Sequence, residues 1–186
     1  KDLIEKSKYL ETAHREKEVL DMAAQVVKLH KQTAECKANV QKLENQIEAL
    51  RPWMNLDIPG DFQGTETAAV LIGSMSGSLT LEDIYSLILE QAPEVSGVDI
   101  SILSSERDTV YLAVVCLKKD VEKVEEILRQ SGFARPSQSM SKIPAREKED
   151  LQQQITVLQQ EMEECGNKIA SYASEREKFK LISDYF

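Results

Sequence analysis

The sequence predicts an α+β protein: a long antiparallel two-helix coiled coil carrying an α/β lobe of order βαββαβ at one end. Three observations predict it. Val19, Met22, Val26, Leu29, Thr33, Cys36, Val40, Leu43, Ile47 and Leu50 follow one another in alternating steps of three and four residues, and only Thr33 is polar. A second run, Leu151, Ile155, Leu158, Met162, Cys165, Ile169, Tyr172, Arg176 and Phe179, repeats that spacing with only Arg176 polar. Between them lie about ninety residues of short β-rich runs, Gly and Pro punctuation and two helical patterns, enough for a core of their own. A narrow seam at a period of 3.5 residues is the pattern of a helix packed on a partner helix rather than on a broad core.

In chain order, residues 1–51 read as the first coiled-coil helix, 52–143 as the lobe and 144–186 as the second helix. The first helix stops before Pro52, because proline disfavours helix at the residue that precedes it. Before Val19 its seam falls out of phase, landing on Arg15, Thr12 and Lys8. Because the chain opens within helical sequence, it reads as a piece of a longer protein. Trp53 to Gly60 is a connector bracketed by two prolines and a glycine, with Trp53 and Leu56 as its packing residues.

Within the lobe, residues 66–75 read as a strand, Gly73 to Ser78 as a loop, and Thr80 with Asp83 as a helix-capping pair. Leu81, Ile84, Leu87, Ile88 and Ala92 are the inward face of that helix, which Pro93 closes. Residues 98–103 and 110–117 read as an antiparallel hairpin around a turn at residues 104–109. Asp120 caps a helix with Val121, Val124, Ile127 and Leu128 inward, and Gly132 ends it. Phe133 to Arg135 is a short edge strand cut off by Pro136. This is the split βαβ order of a ferredoxin-like lobe. The second long helix starts at Pro144, a residue suited to a first helical turn.

Because the lobe joins the two helices, they are expected to run antiparallel. Matching Leu50 to Leu151 sets Ile47 opposite Ile155, Leu43 opposite Leu158, Val40 opposite Met162, Leu29 opposite Tyr172 and Met22 opposite Phe179. It also sets Cys36 level with Cys165.

Composition narrows the function. A net charge of −9 lacks the basic footprint of a nucleic-acid binder and disfavours an anionic membrane surface. No apolar run reaches the roughly 18 residues of a spanning helix. The three cysteines, Cys36, Cys116 and Cys165, form no metal-binding spacing and read as reduced core thiols. His14 and His30 are the only histidines and have no ligand set beside them. Glu161, Glu163 and Glu164 read as a solvated helix face. The Gly73–Ser78 stretch lacks the lysine of a phosphate-binding loop. No nucleophile stands beside a base, so no catalytic residue, cofactor-binding residue or metal ligand is assigned, and the chain reads as a non-enzyme. Candidate docking positions are Glu82, Ser86, Glu122 and Arg129 on the outer helix faces, with Phe133 at the sheet edge.

Leu50-Arg51-Pro52-Trp53-Met54-Asn55-Leu56-Asp57-Ile58-Pro59 resembles the L-x-P-W-x-x-L-D-I-P segment leading into the globular lobe of subunit I of V/A-type rotary ATPases, which is similar to eukaryotic subunit a. Val110 to Val115 with the charged helix after it and Gly132-Phe133 is similar to the next part of that family, and Lys178 to Phe186 to its returning helix. Gly73 to Gly77 departs from the Gly-Thr-Ile type of end more frequent there. The resemblance implies a stator arm on the cytoplasmic face of a membrane complex. Such an arm docks peripheral-stalk subunits E and G and resists torque during ATP-coupled proton or other ion transport. Its own membrane domain would be a further partner, without membrane insertion by this segment. The alternative reading is an unrelated coiled-coil scaffold with a ferredoxin-like head that binds a protein or an effector.

Overall fold

The computed structural model describes the backbone of residues 2–184 and the side chains of residues 3–178. Phe179 of the expected seam, and the stretch to Phe186, carry no described side chains. The chain is α+β. Its elements are α1 (Asp2–Leu50), a 3-10 turn (Arg51–Trp53), β1 (Ala68–Ser76), α2 (Leu81–Gln91), β2 (Asp99–Glu106), β3 (Thr109–Leu117), a second 3-10 turn (Lys118–Asp120), α3 (Val121–Gln130) and α4 (Pro144–Asp184). They form two compact units: Lys1–Glu44 with Gln152–Phe186, and Asn45–Leu151. The unit boundaries therefore fall inside α1 and α4. The end of α1 belongs to the second unit, where the Gln138 side-chain amide donates to the Ala49 carbonyl at 2.9 Å. The start of α4 is held there by Lys142, whose ammonium lies 2.6 Å from the Asp150 carboxylate.

The second unit is built on a three-stranded antiparallel sheet in the order β1-β3-β2. β3 is central, and its unbroken run of β-branched and apolar residues suits burial on both faces. Val110, Leu112, Val114 and Cys116 of β3 join Ala69, Leu71 and Met75 of β1 in one core with Ile84, Ile88, Val124, Ile127 and Leu128 of the two helices. Side chains alternate across a strand, so these β1 and β3 positions share a face.

The reading of the lobe needs four corrections. β1 spans Ala68–Ser76 rather than 66–75, so Gly73 to Ser76 are strand and not loop, and Met75 is fully buried. Gly73 serves close packing here: a Cβ on it would lie 2.4 Å from the Ala134 carbonyl oxygen and 2.6 Å from the Phe133 ring. The hairpin turn is two residues, not six. Arg107 and Asp108 both have positive φ, at 48° and 61°, as the favoured two-residue hairpin turn demands. Asp120 does not cap α3 through its side chain, because the 3-10 turn before it already sets a helical backbone there. Phe133 to Arg135 is not a strand but a single bridge. Ala134 and Ser74 exchange both backbone bonds, at 2.8 and 2.9 Å, and pairing ends there. Pro136 follows with no N–H to continue it.

Thr80 and Asp83 form a reciprocal capping box. The Asp83 N–H donates to the Thr80 hydroxyl at 3.2 Å, and the Thr80 N–H donates to the Asp83 carboxylate at 2.9 Å. Those bonds from Thr80 hold the Asp83 carboxyl below its ordinary range. A lowered carboxyl stabilises the fold above its unfolded pKa, and the contribution is lost as pH falls through the folded value. Thr80→Ala removes the cap and is expected to cost about 1 kcal/mol. Urea unfolding at neutral pH measures it, and the loss should shrink in acid, where Asp83 is protonated.

Candidate functional site

Two features organise the molecule: the segment after α1, in the second unit, and the paired helices of the first. Among the described residues no group of three or more His, Cys, Asp or Glu side chains could hold a metal ion. His14 pairs with Glu18 one turn away at 3.1 Å, on an exposed helix face.

The segment from Leu50 to Leu56 is a fixed joint. Leu50, Trp53 and Leu56 are each 4% exposed. The Trp53 ring meets the Tyr111 ring edge to face, with centroids 5.1 Å apart. That geometry sets the positive edge of one ring on the negative face of the other. The backbone around it is tied to β2. The Ser104 hydroxyl donates to the Pro52 carbonyl at 2.7 Å, and the Asn55 side-chain amide donates to the Leu103 carbonyl at 2.8 Å. Leu103 is the extra residue of a β-bulge, since Ile102 pairs with Leu112 and Ser104 with Tyr111. A bulged residue leaves the ladder, and that frees its carbonyl for Asn55. Arg51 completes the joint, reaching Glu48 at 3.3 Å and Glu106 at 3.1 Å. Both ion pairs are exposed and contribute little beyond geometry.

In the first unit, Leu29, Cys36 and Cys165 are buried. Met22, Val26, Thr33, Val40, Leu43, Ile155, Leu158, Met162, Ile169 and Tyr172 are half-buried. In the second unit Leu50 and Leu151 are buried and Ile47 is half-buried. Val19 and Arg176 are exposed and line an apolar groove with Met22, Val26, Ile169 and Tyr172. Thr33 satisfies its hydroxyl within α1, donating to the Leu29 carbonyl at 2.9 Å.

The polar contacts across the pair correct the expected alignment. That alignment set Glu161 beside Val40. Instead the Gln32 side-chain amide donates to the Glu161 carboxylate at 2.7 Å, and Cys36 lies near enough to that carboxylate and to Cys165 for both to raise its pKa. The groove likewise brings Val26 and Met22 to Tyr172 and Arg176. These contacts fit a pairing displaced by about one helical turn: Val26 with Tyr172, Leu29 with Ile169, Thr33 with Cys165, Cys36 with Met162, Val40 with Leu158 and Leu43 with Ile155. The reason lies in the steps. From Leu43 back to Met22, and from Ile155 on to Arg176, both seams step three, four, three, four. Rungs stay level only when equal steps face each other, whereas the expected alignment set threes against fours. Gln32 and Glu161, which flank the seams, had no apolar signal to mark them.

Burial pushes the Cys36 thiol pKa up, and the Glu161 carboxylate beside it pushes further. Burial, then Asp120, does the same to Cys116. All three cysteines are free.

Of the docking candidates, Glu82, Ser86, Glu122 and Arg129 are exposed. Arg129 is tied to Glu125 at 2.7 Å, and Arg135 shares that carboxylate at 3.0 Å. Phe133 is not a surface residue. At 5% exposure it belongs to the core, where its ring packs over Gly73. The tight turn at Gly132 carries it inward, with the Phe133 N–H bonded to the Leu128 carbonyl at 2.9 Å.

No family model and no curated protein matches the chain. Among solved structures it is similar to the crystal structure of the cytoplasmic N-terminal domain of subunit I, homolog of subunit a, of V-ATPase. The identity is 12%, the TM-score is 0.48, and the match covers 84% of this chain and 51% of that one. The chain thus spans about half the length of the structure it matches.

Two measurements check the site. Trp53→Ala is expected to lower unfolding free energy by about 3–5 kcal/mol, the usual cost of emptying a large aromatic site. Urea titration followed by circular dichroism reads it. A thiol-reactive disulfide reagent such as Ellman's should modify Cys36, Cys116 and Cys165 slowly in buffer and all three promptly in denaturant. Fast labelling of any one in buffer contradicts its burial.

Proposed function

We propose that the chain is part of the cytoplasmic arm of a rotary V/A-type ATPase membrane subunit, a non-catalytic stator element. On this reading residues 1–51 and 144–186 are the two shaft helices, 52–143 is a ferredoxin-like docking lobe, and the partners are the peripheral-stalk subunits E and G and the subunit's own membrane domain. The observation that carries the reading is the Leu50–Pro59 segment. Its resemblance is to the segment leading into that family's lobe, and the pattern residues Leu50, Trp53 and Leu56 are the buried ones. The ring contact of Trp53 with Tyr111, and the bonds of Pro52 and Asn55 to Ser104 and Leu103, give the segment a mechanical use. A stator part must pass torque without yielding, and a helix end held by packing and backbone bonds at several points resists rotation where a bare loop would not.

The strand order β1-β3-β2, with the Ser74–Ala134 bridge on the outer edge of β1, supports the ferredoxin-like reading of the lobe. No helix of the described residues is long and apolar enough to cross a membrane. Placement at the cytoplasmic face of a membrane complex follows from the family reading alone.

The exposed outer faces of α2 and α3 are the docking candidates. Binding of this 186-residue chain to a purified E–G heterodimer from the same source, followed by isothermal calorimetry without nucleotide, tests the proposal. A saturable complex is expected, weakened by Glu82→Arg or Glu122→Arg. The absence of any complex at high micromolar concentrations of both partners would sink it.

A further inference from the structure

We propose that one exposed side of the helix pair in the first unit is the interface with a second copy of this chain. The inference does not rest on what the lobe binds. A groove of about 390 Å³ opens on that side, with Ala23 and Val27 of α1 and Ala173 of α4 beside the seam residues. Each of these three follows a seam residue by one position, and in an antiparallel pair such positions lie on the same side of the seam. The pattern continues along both helices. Leu20, Ala23, Val27, His30 and Ala34 hold this side of α1, and Gly166, Ala170 and Ala173 this side of α4. Leu20 is 70% exposed and Val27 68%. Over the same length the opposite side carries Gln25, Gln32, Glu161, Glu164, Lys168 and Glu175. The pair is therefore amphipathic as a unit, and packing of α1 on α4 leaves its apolar side uncovered.

Charge selects the occupant. Lys17, Lys31 and Lys37 border this side on α1, and Glu163 and Glu177 on α4, all exposed. None of the five is in an ion pair among the described residues. A uniformly acidic partner would meet the two glutamates, and a uniformly basic one the three lysines. A second copy meets neither conflict. Under a twofold axis parallel to the helices, α1 of one copy lies against α4 of the other at the same level, and every contact occurs twice. With Leu29 level with Ile169 and Cys36 with Met162, Lys37 then comes within about 3 Å, measured along the axis, of Glu163 of the second copy. Lys31 comes within about 6 Å of that same glutamate, and Lys17 within about 6 Å of Glu177.

Shape and area agree with this arrangement. Val27 meets Ala170 and Ala173 of the second copy, a larger side chain opposite small ones, which is how facing helix layers interdigitate. The side from Lys17 to Lys37 is about 30 Å long and about 20 Å across its two helices. Two such faces cover about 1,200 Å², the lower end of the range for specific interfaces. The dimer is therefore expected to form reversibly, with a population that rises with concentration.

Sedimentation equilibrium of the 186-residue chain under reducing conditions tests it. The mass should rise from 21.0 kDa toward twice that value as the concentration reaches high micromolar. Val27→Glu and Ala173→Glu, both at exposed positions, should each hold the chain at the single mass, with circular dichroism showing unchanged helix content. Lys37→Glu and Glu163→Lys should each weaken the dimer about tenfold, since the twofold places two like-charge contacts in it. An equimolar mixture of those two variants should restore it, because both contacts then join opposite charges. A chain that keeps the single mass at high micromolar concentration overturns the second copy as the occupant. A dimer that survives both Val27→Glu and Ala173→Glu lies on another surface and overturns the site. A mixture no more dimeric than its two components overturns the parallel twofold.

Discussion

Everything in the first unit depends on an apolar stripe that is barely wide enough. Between Met22 and Leu43 only the seam positions and Gln32 escape full exposure, and the same holds for the matching part of α4 once Glu161 is added. Each fully buried Leu or Ile contributes about 1.5–3 kcal/mol, and a half-buried one proportionally less. Such a helix cannot hold its shape against solvent unless its partner follows it rung by rung. Alignment along the axis therefore decides stability as much as composition does, and the equal-step rule is the geometric form of that dependence.

The second unit solves a different problem. A three-stranded sheet with helices on one face leaves its other face and its edges to be dealt with. The segment after α1 covers part of what remains. Trp53 packs against Tyr111, and Pro52 and Asn55 bond to the bulged part of β2. On the far side β1 is closed at one end by Ala134 and at the other by residues 63–65, where the Val70 N–H donates to the Gln63 carbonyl at 3.0 Å. Without such covers a sheet this small would offer two open edges. The joint residues thus stabilise the lobe and fix the end of α1 with the same contacts.

The large elements were legible because each carried its own local signal. Alternating steps mark α1 and α4, the Thr80–Asp83 spacing marks the start of α2, and a β-branched run marks β3. Elements defined by approach were not legible. Gly73 looks like a turn residue in sequence, yet it is glycine because the Ala134 backbone and the Phe133 ring come too close for a Cβ. Phe133 looks like an edge residue, but the Gly132 turn delivers it to the core. Arg107 and Asp108 are not typical of a tight hairpin turn, so the strands appeared shorter than they are. Asn55 and Leu103, 48 residues apart in sequence, are joined at a bulge that no local pattern announces.

The same distinction separates the two halves of the functional reading. A joint is recognisable from sequence when it needs particular residues in a row, as Leu50, Pro52, Trp53 and Leu56 are needed here. A docking surface needs only exposure and complementarity, and Glu82, Ser86 and Glu122 carry neither strain nor burial to mark them. Arg129 and Arg135 converge on Glu125, which shows the outer face of α3 already neutralising part of its own charge. A partner that reads this face must compete with that internal pairing or accept it as the recognised shape. Exposed ion pairs are weak, so competition costs little. The outer face of α3 can therefore be recruited without disturbing the buried row of Val124, Ile127 and Leu128 beneath it.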